Sequence, residues 1–201
     1  METELSGWDR RRQQLLDEYE RVALGLFAER GYRNVTIDEI AEAAQVSPRT
    51  LFRYFATKED ILLALPRRGL AELGGTFAGL APSTDPVGAA WRQLRASYRT
   101  YAPDAVLAQL WRRAAAGAPD VVARVRGERV ESLIDTLSDY ISRSLGPGTR
   151  PDVRARVYAG LLAGAELALI ESFGRDDDDH ERIFAAAETA FRDLAGTIGI
   201  G

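Results

Sequence analysis

The sequence predicts an all-α protein of about nine helices. Alanine, leucine, arginine and glutamate recur at three-to-four-residue spacing through nearly every segment, which is the spacing of amphipathic helices. Runs that alternate apolar and β-branched residues with polar ones, as half-buried strands do, are hard to find. A length of 201 residues, set against a typical domain of about 150 residues, allows one large or two small helical domains.

The first predicted helix runs from about Trp8 to Arg30. Gly31 follows it and can adopt the left-handed conformation that ends many helices, because it has no side chain. The apolar residues of this segment fall on one helical stripe: Leu15, Leu16, Tyr19, Val22, Ala23, Leu26 and Phe27.

Capping residues mark the next three predicted helices. Thr36, with a glutamate three residues later, forms a capping box for a short helix over residues 37–44. Ser47 can cap a third helix that begins at Pro48, where the missing proline N–H costs nothing. Thr57 can cap the fourth helix in the same way.

Proline and glycine punctuate the rest of the chain, and most of these prolines are expected to open a helix rather than to kink one. The predicted later helices are 58–80, 86–101, 103–116, 119–145, 151–174 and 178–198. The four-aspartate run at 176–179 is most simply a solvated linker. A calcium loop is the alternative, but the run lacks the alternating ligands, central glycine and terminal glutamate of such loops.

Composition removes most enzyme classes. The chain has no cysteine and one histidine, His180, so thiolate chemistry, disulfides, Ser–His triads and His-rich metal sites lack their parts. We therefore expect no enzyme, no cofactor and no metal. The net charge of −4 argues against coating nucleic acid by bulk attraction but allows a local basic patch. Lys58 is the single lysine among 26 cationic residues.

Neither a membrane span nor a signal peptide is evident. No apolar run reaches the roughly 18 residues that a spanning helix needs, and the start METELSGWDRRRQQ lacks an apolar segment. The expected location is the cytoplasm, without a membrane partner.

Residues 36–62 have a helix-turn-helix outline: a short helix, a three-residue turn and a second short helix. An apolar set would lock the two helices together and onto the first helix: Ile37, Ile40, Ala41, Ala44, Val46, Leu51, Phe52 and Phe55. The opposite face carries three positive charges and no acid between Ser47 and Lys58.

This basic face predicts contacts with duplex DNA. The start of a recognition helix enters the major groove, so we expect base contacts from Ser47, Pro48, Arg49 and Thr50. Arg49 can bind guanine O6 and N7 together, and Thr50 can touch a thymine methyl group. Phosphate contacts are expected further along, from Arg53, Tyr54 and Lys58, and at the start of the second helix, from Thr36. An isolated basic triplet is more often a solvated face, but here the caps, helix lengths and turn all agree.

The segment LFAERGYRNVTIDEIAEAAQVSPRTLFRYFATKEDIL, residues 26–62, strongly resembles the TetR family of transcriptional regulators. The resemblance implies that Thr36 and Lys58 contact phosphates. The family usually has a phosphate-contacting tyrosine where this chain has Phe52, which is expected to keep the packing and lose the hydroxyl. That contact is therefore reassigned to Arg53 and Tyr54. Arg49 stands where glycine is common in the family, which suggests an extra specific contact.

The predicted domains are a helix-turn-helix domain over 1–57 and a helical effector-binding and dimerisation domain over 58–201. An aromatic stripe and a second apolar cluster suggest the lining of a pocket: Trp91, Leu94, Tyr98, Tyr101, Leu107 and Trp111. Such stripes are core more often than binding sites. The resemblance implies a small-molecule effector bound in the second domain, often hydrophobic or partly cationic in this family. The C-terminal sequence is more similar to regulators of lipid or acyl-thioester metabolism than to drug-efflux sensors, which favours a hydrophobic or acyl-type effector. Arginines 92, 95, 99, 112 and 113 could neutralise an anionic ligand or simply extend into solvent.

The last two helices carry more apolar surface than one domain needs, which predicts a homodimer built on a four-helix interface. The expected interface residues are Gly160, Gly164, Phe184, Ala187 and Phe191. Glu166 interrupts the apolar run and is expected to face water at the rim, with a pocket or interface acid as the alternative.

These features favour a homodimeric repressor that binds a palindromic operator and is released by an effector. A small-molecule helical enzyme and a helical interaction scaffold without DNA contact are the other candidates. Neither explains the basic face over residues 47–58. A scaffold should also show no salt-dependent binding to duplex DNA.

Overall fold

The computed structural model describes residues 7–101, 105–146, 153–172 and 180–198, and within these ranges the regular structure is helical throughout. The nine α-helices are α1 (Gly7–Arg30), α2 (Ile37–Ala43), α3 (Pro48–Phe52), α4 (Lys58–Gly79), α5 (Pro86–Tyr101), α6 (Ala105–Ala116), α7 (Pro119–Leu145), α8 (Val153–Ser172) and α9 (His180–Ile198). The all-α prediction is confirmed. The aspartate run at 176–179 lies outside the described residues.

The junction of α1 and α2 contains a feature that the sequence pattern does not predict. A short 3-10 helix, Tyr32–Asn34, lies between them. Gly31 has a positive φ of +83°, as expected, but its ψ of +139° lies outside the left-handed helical conformation that was predicted to end α1. Gly117, the residue after α6, lies against this turn, and a Cβ on it would be 3.3 Å from the amide nitrogen of Tyr32. Glycine therefore allows a close backbone approach at position 117.

The chain divides into two compact units. The first comprises Met1–Arg68 and Asp104–Val125, and the second Gly69–Pro103 and Arg126–Gly201. This division differs from the predicted boundary after residue 57, because α6 packs along α1 and the first part of α4 packs with the same unit. The functional division at that boundary stays a prediction.

The core of the first unit joins α1 and the helix-turn-helix to α4 and α6. Its fully buried members include Phe27, Ile40, Leu51 and Leu62, and α6 adds Leu107. Phe52 was predicted to belong to this core, and that prediction is wrong, since the side chain is 51% exposed. Leu51 turns toward the core, and one residue later the helix has rotated by about 100° away from it.

A proline inside α4 is compensated by a side chain from α6. Pro66 does not open a helix but lies within α4, where it lacks the N–H that would bond to the carbonyl of Leu62, and its ring crowds that oxygen. The indole Nε1–H of Trp111 donates to this same carbonyl over 2.8 Å. A donor from α6 thus replaces the missing backbone donor in α4.

The core of the second unit is formed by side chains from α4, α5, α7, α8 and α9. Tyr140 is fully buried, and its ring packs edge-on against Phe77 with centroids 5.6 Å apart. Glu166 is 2% exposed and forms an ion pair with Arg129. The expectation that Glu166 faces water is therefore wrong, and the arginine of α7 gives the buried carboxylate a partner.

Candidate nucleic-acid interface

The turn between α2 and α3 is a Schellman motif with an unusual residue at its centre. The amide of Val46 donates to the carbonyl of Ala41 over 2.9 Å, and the amide of Gln45 donates to the carbonyl of Glu42 over 3.0 Å. Gln45 has a φ of +56°, in the left-handed region where glycine is usual. No signal in the sequence marks this position. The motif ends α2 abruptly and sets the direction in which α3 begins.

Side-chain caps define where α2 and α3 begin, as predicted. Thr36 and Glu39 form a reciprocal capping box, in which the amide of Thr36 donates to the Glu39 carboxylate over 2.8 Å. The hydrogen bonds from the amide and hydroxyl of Thr36 lower the pKa of Glu39. The Oγ of Ser47 accepts the amide of Thr50 at 3.1 Å, and Pro48 occupies the first position of α3.

The outward face of α3 presents cations that no acid of the described residues neutralises. Ser47, Pro48, Arg49 and Arg53 are exposed, and Thr50 is half-buried with its hydroxyl 2.8 Å from that of Ser47. Elsewhere in this unit, Arg30, Arg33 and Arg67 pair with carboxylates. Within the described residues Arg49 and Arg53 form no such pair. Their full charge is therefore available to an anionic partner.

The aromatic residues Phe52 and Tyr54 differ in how far they are buried. Tyr54 is half-buried, and its ring lies edge-on to that of Tyr19 with centroids 5.4 Å apart. The guanidinium of Arg53 lies 5.8 Å from the centre of the Tyr54 ring. Phe52, by contrast, lies on the exposed side of α3. Tyr54 is thus partly committed to packing, while Phe52 extends the outward face.

Lys58 is held against the backbone that leads into α2. Its ammonium donates to the carbonyl oxygens of Tyr32 and Val35, each over 2.8 Å. It also lies 4.4 Å from the centre of the Tyr32 ring. Burial lowers the pKa of this ammonium, and the nearby charge of Glu39 opposes that shift. Within the described residues, two of its three N–H groups are therefore used, which leaves one for another acceptor.

Further polar contacts hold α4 to the same unit. Thr57 caps α4 through Asp60, which also accepts a hydrogen bond from Arg67; these contacts lower the pKa of Asp60. Arg68 donates to Glu20, which is 1% exposed, over 3.2 Å. Sequence analysis missed this pair because its members lie 48 residues apart and no local pattern connects them.

The residues of the predicted effector pocket fall into two different cores. Trp91 and Leu94 belong to the core of the second unit, whereas Leu107 is in that of the first, with Trp111 packed against it. The side chains of Tyr98 and Tyr101 lie outside the described residues. Helical periodicity identifies a buried face but not the core that buries it. A single pocket lined by all six residues stays a prediction.

The arginines considered for an anionic ligand mostly face solvent. Arg92 is exposed and pairs with Asp85, and Arg112 and Arg113 are exposed as well. Arg95 forms an ion pair with Glu188 of α9. The side chain of Arg99 lies outside the described residues. Of the two alternatives for these arginines, extension into solvent therefore describes Arg92, Arg112 and Arg113.

The predicted interface residues of α8 and α9 also separate. Gly160 is half-buried and Gly164 exposed, and a Cβ on either would meet no atom within 4 Å. Phe184 is 4% exposed and packs in the core of its own unit, with Ala187 against that core. The side chain of Phe191 lies outside the described residues. Open surface is therefore found on α8, while Phe184 and Ala187 of α9 pack in the internal core.

No helix in the described ranges is both long and apolar enough to cross a membrane.

Comparisons with known proteins agree with this architecture. Residues 21–65 match the model of the bacterial regulatory proteins of the tetR family. The HTH-type transcriptional regulator TcmR of Streptomyces glaucescens is 31% identical over 186 residues, covering 89% of this chain and 81% of TcmR. The HTH-type transcriptional repressor KstR2 of Rhodococcus jostii is 37% identical over 78 residues, covering 39% of this chain and 36% of KstR2.

Among solved structures, GusR of Salmonella enterica aligns with a TM-score of 0.57 at 19% identity, over 91% of this chain and 94% of that chain, which supports the fold. The relatives are regulators of transcription rather than enzymes. With its helix-turn-helix, the basic face of α3 and a relative matched over most of its length, the chain belongs to the TetR family of DNA-binding transcriptional regulators.

Proposed function

We propose that the chain is a homodimeric transcriptional repressor that binds a palindromic operator through α3. The observation that carries this proposal is the outward face of α3, where Arg49 and Arg53 are exposed and form no ion pair with an acid in the part of the chain that the structure describes. The relative KstR2 is named a transcriptional repressor, which supports repression rather than activation for this chain. Because its partner is operator DNA, the protein would act in the cytoplasm.

Base contacts are assigned to Ser47, Pro48, Arg49 and Thr50 at the start of α3. Arg49 is suited to guanine, whose O6 and N7 accept two parallel hydrogen bonds from a guanidinium. Phosphate contacts are assigned to Arg53, the third N–H of Lys58, Tyr54 and Thr36. Thr36 should make the weakest of these contacts, because the Glu39 carboxylate beside it repels a phosphate.

The dimer is assigned to the open surface of α8. Val153 and Val157, one helical turn apart, are 76% and 53% exposed, and Gly164 continues the same stripe. Exposed valines beside a glycine that no side chain covers favour close packing of a second helix. A two-fold axis at this surface would set the separation of two recognition helices.

A small-molecule effector in the second unit would regulate the dimer. The ion pair between buried Glu166 and half-buried Arg129 supports this part of the proposal, because it places charged groups among the helices that form the core of the second unit. A ligand releases the operator only if it prefers a conformation in which the two recognition helices have the wrong separation. A hydrophobic or acyl-type molecule fits the apolar surroundings.

Mobility shifts with duplex DNA test the assignment of DNA contacts. A duplex selected by the wild-type chain from a random-sequence pool should bind with strong salt dependence, and a scrambled duplex should bind weakly. Arg49→Ala should relax preference at one base pair by about 1–3 kcal/mol. Arg53→Ala should weaken both duplexes alike and lower the salt slope by about one. Equal losses from both variants on both duplexes would contradict these roles.

Sedimentation tests the dimer. Val157→Glu should convert the wild-type dimer to a monomer, because it places a charge on the α8 surface. Val106→Glu is the matched control, since Val106 is a 61% exposed valine on α6, which belongs to the other unit. The proposed dimer interface on α8 is contradicted if the wild type is a monomer or if Val157→Glu leaves the dimer intact.

A further inference from the structure

Phe52 is an apolar ring in the middle of a positively charged surface. It is 51% exposed, although Leu51 beside it is fully buried. Among the described residues of the helix-turn-helix, it is the large apolar side chain that the fold leaves in solvent. Leaving a phenylalanine exposed forgoes part of the free energy that its full burial would contribute to stability.

The neighbours of Phe52 on the helix surface are those assigned to DNA. Pro48 and Arg49 precede it by four and three residues, so their side chains lie on the same face of α3. Arg53 follows directly and continues the helical backbone, with φ −70° and ψ −23°. The ring of Phe52 is therefore flanked by two exposed cations. Any DNA that these arginines bind must come close to it.

The chemistry of DNA limits what a phenyl ring can contact there. The ring has no hydrogen-bond donor or acceptor, so it gains nothing from a phosphate oxygen or from the polar edge of a base. In the major groove the apolar group that a base presents is the C5-methyl of thymine. We propose that Phe52 determines part of the operator sequence by packing against the C5-methyl group of one thymine. This inference rests on the proposed DNA-binding function.

Deoxyuridine substitution tests the contact without altering any hydrogen bond of the base pair. The probe is the duplex selected by the wild-type chain from a random-sequence pool, with each thymine replaced in turn by deoxyuridine. Each half-site should contain one thymine whose replacement, made alone, weakens binding of the wild-type chain about fourfold. This is the effect expected for the loss of one buried methyl group. Phe52→Ala should bind the unmodified duplex less tightly and be insensitive to that replacement.

Thr50 lies near the start of α3 and has a methyl group that could also touch a thymine methyl, so Thr50→Ser is the matched control. It should keep the deoxyuridine effect, because it removes only the methyl of Thr50. The proposal is overturned if no replacement weakens wild-type binding, or if the effect persists in Phe52→Ala or disappears in Thr50→Ser. Failure to select any duplex would instead contradict the proposed function. Circular dichroism confirms that the variants are folded.

Discussion

The ammonium of Lys58 donates a 2.8 Å hydrogen bond to the carbonyl oxygen of Val35, the residue that directly precedes the cap of α2. The first residue of α4 therefore holds the entry to the helix-turn-helix in place before any DNA is bound. A lysine that only binds phosphate would leave the stability of the free protein unchanged. This contact gives Lys58 a structural role besides the proposed phosphate contact.

We therefore expect Lys58→Met to destabilise the free protein. The change removes charge-assisted hydrogen bonds to two carbonyls, a loss of about 1.5–3 kcal/mol, and keeps most of the side-chain volume. Urea unfolding without DNA measures the effect. Arg53→Met is the control, because this exposed arginine should alter the free energy of unfolding by less than about 0.5 kcal/mol. Unfolding of Lys58→Met at the wild-type urea midpoint would mean that the lysine contributes only to DNA binding.

Trp111→Phe should also destabilise the first unit. The indole N–H replaces the amide that Pro66 cannot supply to the Leu62 carbonyl, and loss of a donor to a buried polar group costs about 1–3 kcal/mol. Pro66→Ala provides the control, because alanine restores the backbone N–H. In that background Trp111→Phe should cost clearly less when both are measured by urea unfolding. Equal costs in the two backgrounds would show that the indole stabilises through packing alone.

Gln45→Gly should stabilise the turn between α2 and α3. Gln45 is held at a φ of +56°, and the left-handed conformation costs a residue with a Cβ about 1–2 kcal/mol relative to glycine. Part of this gain is lost because glycine is more flexible in the unfolded chain. Thermal unfolding should show a higher midpoint for Gln45→Gly. Ala44→Gly, at a negative φ of −80°, should lower it, and a lower midpoint for both variants would contradict the assigned strain.

The stability difference between wild type and Glu20→Gln should depend on pH, because the pKa of Glu20 is raised in the folded state. Burial raises its pKa above the ordinary 4.5, although the Arg68 charge opposes the shift. The folded state thus keeps this proton to a higher pH than the unfolded state does. Wild-type stability should therefore fall, relative to Glu20→Gln, as pH rises from 4.5 through the folded-state pKa, and the difference should then stay constant.

Urea unfolding across this pH range measures the difference between wild type and Glu20→Gln. Glu72→Gln, at an exposed site on α4, controls for the change in net charge. A difference that stays the same at every pH would show that the buried carboxylate does not titrate as the geometry requires.

Local chemistry was enough to predict the helices and their starting points. Thr36, Ser47 and Pro48 interact with amides at most a few residues away, so their capping positions follow from short-range hydrogen bonding. The basic face of α3 was predicted for the same reason, because the helical period assigns each residue to a side.

Long-range packing decided the rest. A periodic pattern shows that Phe52, Leu107 and Glu166 lie on helix faces, but it does not show which core covers each face. The pairs Lys58–Val35, Trp111–Leu62 and Arg68–Glu20 join residues 23 to 49 positions apart. Such contacts depend on which helices pack together, and that choice is made by the whole core rather than by any one segment. The sequence thus determined the helices and the family, while the tertiary structure decided which side chains remain free to meet DNA.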